Sequence, residues 1–257
     1  MKTPTSIKCA ILLLAIFVSA NIYAQITTPR TPSPAAKVSQ TIGISTVTIK
    51  YSRPSVKGRE VWGKLVPYGW TVQGAVNAAP WRAGANENTT IEFSHPAKIG
   101  GQAVPAGIYG LFFVINADDS GEVILSKDYR SWGSFSYNAS QDLLRSKITA
   151  RSIPNTELLT YDFINLTKNS GELVLNWEKK QFPVVIEFSV DEIVMANATE
   201  ELKSTIGFTP FGFSSAANYA LQNNVNLDKG LVWIDQALTQ TQTFAFKNIK
   251  SGILRKL

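Results

Sequence analysis

Apolar and polar positions alternate along most of the chain, and the period changes near residue 190. Val47, Ile49 and Tyr51 alternate with Thr48 and Lys50, and Ile91 and Phe93 repeat the pattern. Leu173, Leu175 and Trp177 alternate with Val174 and Asn176, followed by Phe182, Val184, Ile186 and Phe188. A period of two marks a strand with one buried face. Turn formers punctuate these runs at Gly100-Gly101, Pro105-Ala106-Gly107, Asp118 to Gly121 and Asn169-Ser170-Gly171. The piece from Ile99 to Ile115 reads as two hairpin-linked strands, and Ser140 to Ser146 as a short helix. Many short strands at regular spacing predict an antiparallel β-sandwich, or a partly closed barrel, over residues 37–190.

From Asp191 the spacing becomes helical. Ile193, Val194, Ala198 and Leu202 fall on one face, with Asp191 as the expected N-cap. Residues 214–223, 227–239 and 241–256 read as three further helices. Their small and aromatic positions resemble one tetratricopeptide-type hairpin. A single such repeat cannot bury its own face, so the extension over 191–257 is expected to dock on the β-domain, on a partner or on a second copy.

The N-terminus carries Lys2 and Lys8, an apolar run from Cys9 to Ala20, and Ala24 before Gln25. This is the signal-peptide pattern, with cleavage expected near Ala24 and export to the periplasm or beyond. The run is shorter than the roughly 20 residues a membrane helix needs, so no span is expected in the mature chain. Residues 25–36 (QITTPRTPSPAA) read as a flexible leader. Cys9 is the only cysteine. A chain cleaved after Ala24 has no disulfides, thiolate metal ligands or cysteine nucleophile, and holds itself together by its core alone.

The full chain carries 25 basic and 19 acidic residues, a net charge of +6. Cleavage removes Lys2 and Lys8 and leaves +4. The basic residues form no runs of the kind that grip nucleic acid. His95 is the only histidine, so a histidine cluster for zinc is excluded, and no nucleophile elbow or phosphate-cradling glycine loop accompanies it. Asp118, Asp119 and Glu122 read as a hairpin turn rather than a calcium loop. No metal or cofactor is expected.

The most concentrated chemistry lies between Tyr51 and Thr90. Arg53, Lys57, Arg59 and Arg82 stand among turn formers with Tyr68, Trp70, Trp81, Asn86 and Glu87. Guanidinium groups hold carboxylates or phosphates through paired hydrogen bonds. Asn86 offers a donor and an acceptor, and the aromatics offer platforms for sugars or peptides. Trp62, between apolar neighbours, reads as core, as do Trp132 and Tyr137; Trp70 and Trp81 read as exposed. Arg82 and Glu87 could instead pair with each other and brace their loop.

Together, RPSVKGREVWGKLVPYG, WRAGANENTTIEFS, VPAGIYGLFFV, WGSFSYN and LVLNWEKKQFPVVIEF resemble the bacterial domain of unknown function 2911, over about Ser39 to Phe188. The resemblance implies a β-fold and an exported habit, and brings no reaction. One departure stands out. TVQGAVNAAP, Thr71 to Pro80, separates two motifs that nearly adjoin in the family, which lengthens a loop or displaces Trp81.

Three functions follow as expectations. The first is a non-catalytic module binding a small anionic or glycan ligand, or an envelope protein. The second is a hydrolase using Glu87, with Glu60 as the second carboxylate that glycoside hydrolysis needs. The third is a structural helper whose helical tail docks on a partner.

Overall fold

In the computed structural model of the protein, Thr28 and residues 32–257 are described. The expected signal peptide and part of the leader lie outside these residues. The β-region holds twelve strands: β1 (Ala35–Ile42), β2 (Ser45–Ser52), β3 (Thr71–Gln73), β4 (Val76–Ala79), β5 (Thr90–Phe93), β6 (Ala97–Ile99), β7 (Gln102–Val104), β8 (Gly107–Ile115), β9 (Ser120–Ser126), β10 (Asp142–Thr149), β11 (Arg151–Ile164) and β12 (Ser170–Glu187). They form a six-stranded sheet in the order β1-β2-β5-β8-β9-β10, a four-stranded sheet in the order β11-β12-β6-β7, and the separate hairpin β3-β4. All the named strand pairs are antiparallel. The sheets stay open, so the sandwich expectation holds and the barrel does not.

The alternation is explained by the core between the sheets. Val47, Ile49, Ile91, Phe93 and Phe113 meet Trp177, Phe182, Val184 and Ile186 there, in one apolar cluster. β8 is buried along most of its length because its opposite face is covered too. Phe112 and Val114 pack with Ile124 beneath Tyr137, which is why IYGLFFVI reads as a continuous apolar run.

Three local expectations change. The Ile99–Ile115 piece is not one strand pair: β6 pairs with β7, while β8 crosses to the other sheet and pairs with β5 and β9. Ser140–Ser146 is one 3-10 turn, Ala139–Gln141, running into β10. There Leu144 and Ile148 turn inward and Arg145 and Lys147 outward, so the sheet edge overrides the local helical tendency. Trp132 is exposed rather than core.

Four helices follow: α1 (Val190–Glu201), α2 (Pro210–Asn223), α3 (Leu227–Gln240) and α4 (Phe244–Leu254). They have their own apolar cluster of Met195, Ala216, Ala217, Ala220, Trp233, Ile234, Ala237, Phe246 and Ile253. Alanine and glycine let the helices approach closely, and a methyl on Gly230 would come within 2.9 Å of the Ala220 Cβ. α1 joins the two cores: Val190 belongs to the sandwich cluster and Met195 to the helical one. Asp191 sits in the first turn of α1, with Ser189 in the capping position. Its carboxylate accepts from Lys168 at 3.1 Å and from the Tyr219 hydroxyl at 2.7 Å. Among the described residues no helix is long and apolar enough to cross a membrane.

Candidate functional site

The loop from Pro80 to Thr89 is shaped by its backbone. Ala83 and Asn86 both adopt the left-handed conformation, with φ of 51° and 61°. Such residues stay there only where surrounding contacts hold them. Several do. The hydroxyl of Tyr161, buried in the last part of β11, donates to the Ala83 carbonyl at 2.9 Å, and Thr89 Oγ1 donates to the same oxygen at 3.1 Å. Burial raises the Tyr161 hydroxyl well above its ordinary pKa, which keeps it a donor. Asn86 Nδ2 donates to the Ser33 carbonyl at 3.2 Å and so ties the loop to the segment just before β1. Ser134 Oγ donates to the Pro80 carbonyl at 2.5 Å.

Arg82 is set by the same frame. Its Nη1 donates to the Asn86 carbonyl, and its guanidinium lies over the Phe135 ring, 5.5 Å from the centroid. Partial burial lowers its pKa from the ordinary value. It braces the loop through backbone and ring. Arg59 is held similarly, with Nε donating to the Val56 carbonyl at 3.0 Å and Nη2 to the Ser55 carbonyl. Lys57, in a left-handed turn at φ 48°, is exposed. Its backbone N–H donates to Glu157 Oε1 at 2.9 Å.

These three cations border one cavity of about 550 Å³. Its aromatic wall is Trp81 and Trp177, stacked with centroids 6.0 Å apart and planes 16° apart. Trp62 supports both edge-on at 5.9 Å. Trp81 is fixed by two backbone hydrogen bonds to Phe113, each 2.8 Å. Pro54, Leu65 and Val66 extend the apolar wall, and Asn86 and Gln73 add carboxamides. Among the described residues that line the cavity there is no Asp, Glu or His.

Five of the nine predicted site residues, Lys57, Arg59, Trp81, Arg82 and Asn86, meet at this cavity. Arg53 does not: it buckles β2 to β11, with Nε donating to the Leu159 carbonyl at 2.9 Å and Nη2 to Thr160 Oγ1 at 2.5 Å. Trp70 packs against Tyr137 at 6.0 Å beneath the Arg145 guanidinium. The Tyr68 ring shares Lys180 Nζ with Trp62, at 5.9 and 6.0 Å. Glu87 is half-buried and already engaged, and neither it nor Glu60 lines the cavity.

His95 borders a different groove, between β6, β7 and α1, with Ser94 Oγ 3.0 Å from its Nδ1. Among the described residues no group of His, Cys, Asp and Glu is arranged for a metal. Sequence reading missed Gln73, Trp177, Leu65 and Val66 as cavity walls. Trp177 carried only a strand signal, and Gln73 lies in the spacer that departs from the family pattern.

A family model described as "Protein of unknown function (DUF2911)" matches residues 33–186. No curated protein and no solved structure matches the chain.

Proposed function

The chain belongs to this family, whose description assigns no activity, and we propose from the cavity that it is an exported, non-catalytic module binding a small anionic or glycan ligand. One observation carries the reading: Lys57, Arg59 and Arg82 border a cavity with an indole wall and no described carboxylate in its lining. Three cations bordering one cavity attract an anion, and the tryptophans suit a ring or sugar face beside it. The two arginines are already held by backbone carbonyls, so little ordering is left to oppose binding.

The test is calorimetric titration of the protein with phosphate, citrate, benzoate and D-glucuronate at low salt. Saturable binding of at least one, weakened about 10-fold or more by Lys57→Glu, supports the reading. Absence of saturable binding across the panel, or affinities that Lys57→Glu leaves unchanged, overturns it. Export is tested separately, by fractionation and by sequencing the mature N-terminus, expected at Gln25.

A second reading, a tail that docks on a partner, is favoured by one feature. Phe208, Phe211 and Phe244 stand exposed around the starts of α2 and α4. Replacing Phe208 and Phe244 with Ser would then abolish a co-purifying partner while leaving anion binding intact.

A further inference from the structure

Two uncharged aromatic segments meet on the surface of the β-region. Leu65 to Trp81 and Ser131 to Gln141 contain no Asp, Glu, Lys, Arg or His. The fold brings them together: the Trp70 and Tyr137 rings lie 6.0 Å apart, and a methyl built on Gly74 would touch Phe135 Cδ1 at 3.5 Å. Much of their apolar surface is left outside the core. Val72 is 70% exposed, Trp132 56% and Phe135 51%, and Leu65, Tyr68 and Trp70 are exposed as well. Val72 sits in the hairpin β3-β4, which joins neither of the larger sheets.

Cations stand at the margin. Of the four residues flanking the two segments, Lys64, Arg82 and Arg130 are basic, and Lys64 and Arg130 are exposed. Arg145 reaches over the Trp70 ring, 4.7 Å from its centroid. The fourth flanking residue, Asp142, is already engaged: its carboxylate accepts from Arg145 Nε at 2.8 Å and from the Tyr137 hydroxyl at 2.6 Å. The patch is thus aromatic at its centre and basic at its rim. Like charges oppose a second copy meeting the same face, whereas an anionic plane matches it. Tryptophan and tyrosine, apolar bodies with one polar handle, suit the headgroup level of a bilayer. The outer edges of β3 and β4 keep backbone groups without strand partners. Hydrocarbon cannot satisfy these groups, so the patch rests among headgroups and goes no deeper.

We propose that this patch seats the protein peripherally on an anionic lipid surface, with Trp70, Val72 and Trp132 at the headgroup level and Lys64, Arg130 and Arg145 towards the lipid phosphates. The proposal needs neither the cavity nor its ligand.

The experiment is co-sedimentation of the protein at low salt with vesicles of phosphatidylglycerol and phosphatidylcholine in equal parts, and with vesicles of phosphatidylcholine alone. The anionic vesicles are expected to bind about 10-fold or more tightly than the neutral ones. Val72→Asp combined with Trp132→Ser, both at exposed positions, is expected to weaken binding to the anionic vesicles about 10-fold or more. Lys64→Glu combined with Arg130→Glu is expected to weaken it by a similar factor. No binding to the anionic vesicles, as when the patch serves a protein partner instead, overturns the proposal. So does equal binding to the neutral vesicles, or binding that either folded double variant leaves unchanged. Circular dichroism checks the fold, and should the first double variant not fold, the charge-reversed one decides.

Discussion

Replacing Gly133 with Ala tests the frame around Arg82 from a position outside the cavity lining. Gly133 is buried, does not line the cavity, and has a φ of +63°. A Cβ there would stand 2.1 Å from Arg82 Cζ and 2.4 Å from both terminal nitrogens. Ordinary contact is about 3.5–4.0 Å, so the guanidinium must move by more than about 1 Å, away from Phe135 or the Asn86 carbonyl. The backbone penalty for a left-handed alanine is about 1–2 kcal/mol. A weakened hydrogen bond from a charged donor adds about 1.5–3 kcal/mol. A suitable control is Gly101→Ala, at φ +76° with nothing within 4 Å of the added methyl; it incurs the backbone term alone. Denaturant unfolding should place Gly133→Ala about 1.5–3 kcal/mol below Gly101→Ala in stability. Calorimetry with D-glucuronate should show about 10-fold or greater loss for Gly133→Ala only. Equal stabilities and an unchanged affinity would refute the idea that Arg82 is held against Gly133 for binding.

The remaining predictions concern the core, the tail and acid stability. Trp177→Ala should destabilise by about 3–5 kcal/mol by removing the partner of Trp81, read by denaturant unfolding. Val190→Ala should loosen α1 from the sandwich by about 2 kcal/mol, seen as faster amide exchange in α1 with β8 unchanged. Hydrogen bonds hold the Asp191 carboxyl below its ordinary pKa, Lys168 contributing most and Tyr219 next, and the Arg151 guanidinium, with Asn165, does the same for Glu172. Each folded value lies below the unfolded one, so the stabilisation is present above about pH 4 and lost as pH falls through the folded values. Asp191→Asn should therefore flatten the acid limb of the stability curve. Tyr219 shows the reverse sign: burial, with help from Asp191, pushes its hydroxyl up to about 12. Its contribution should fade as pH climbs from about 10 towards that value, and Tyr219→Phe should remove that alkaline fade.

The sandwich was legible wherever one strand face meets the core, as in Val47-Ile49-Tyr51 and Phe182-Val184-Ile186, because alternation records burial directly. β11 left a weaker trace. In RSIPNTELLTYDFI, Pro154 and Asn155 interrupt the pattern and most side chains before Leu159 are exposed or half-buried. The tail was legible in period, and its boundaries moved by a few residues because Pro210 starts α2 from its N-terminal end, a position that proline's fixed φ favours. In the site, residue type identified the cations but not their destinations. Arg53 and Arg82 look alike in sequence, yet one meets Leu159 and Thr160 across the sandwich while the other meets Phe135 and Asn86. Leu159, Thr160 and Phe135 are distant contacts that no local pattern encodes. Trp81 read as exposed because it sits among turns, and its two hydrogen bonds to Phe113 draw it into the wall of the cavity.

The most direct test of the anion-binding account is a crystal structure of the protein soaked in D-glucuronate. The account predicts density for one hexuronate in the cavity, its carboxylate among Lys57, Arg59 and Arg82 and its ring against the Trp81 side of the wall. A cavity without ligand while glucuronate binds in solution, or a hexuronate seated instead in the groove beside His95, would contradict it.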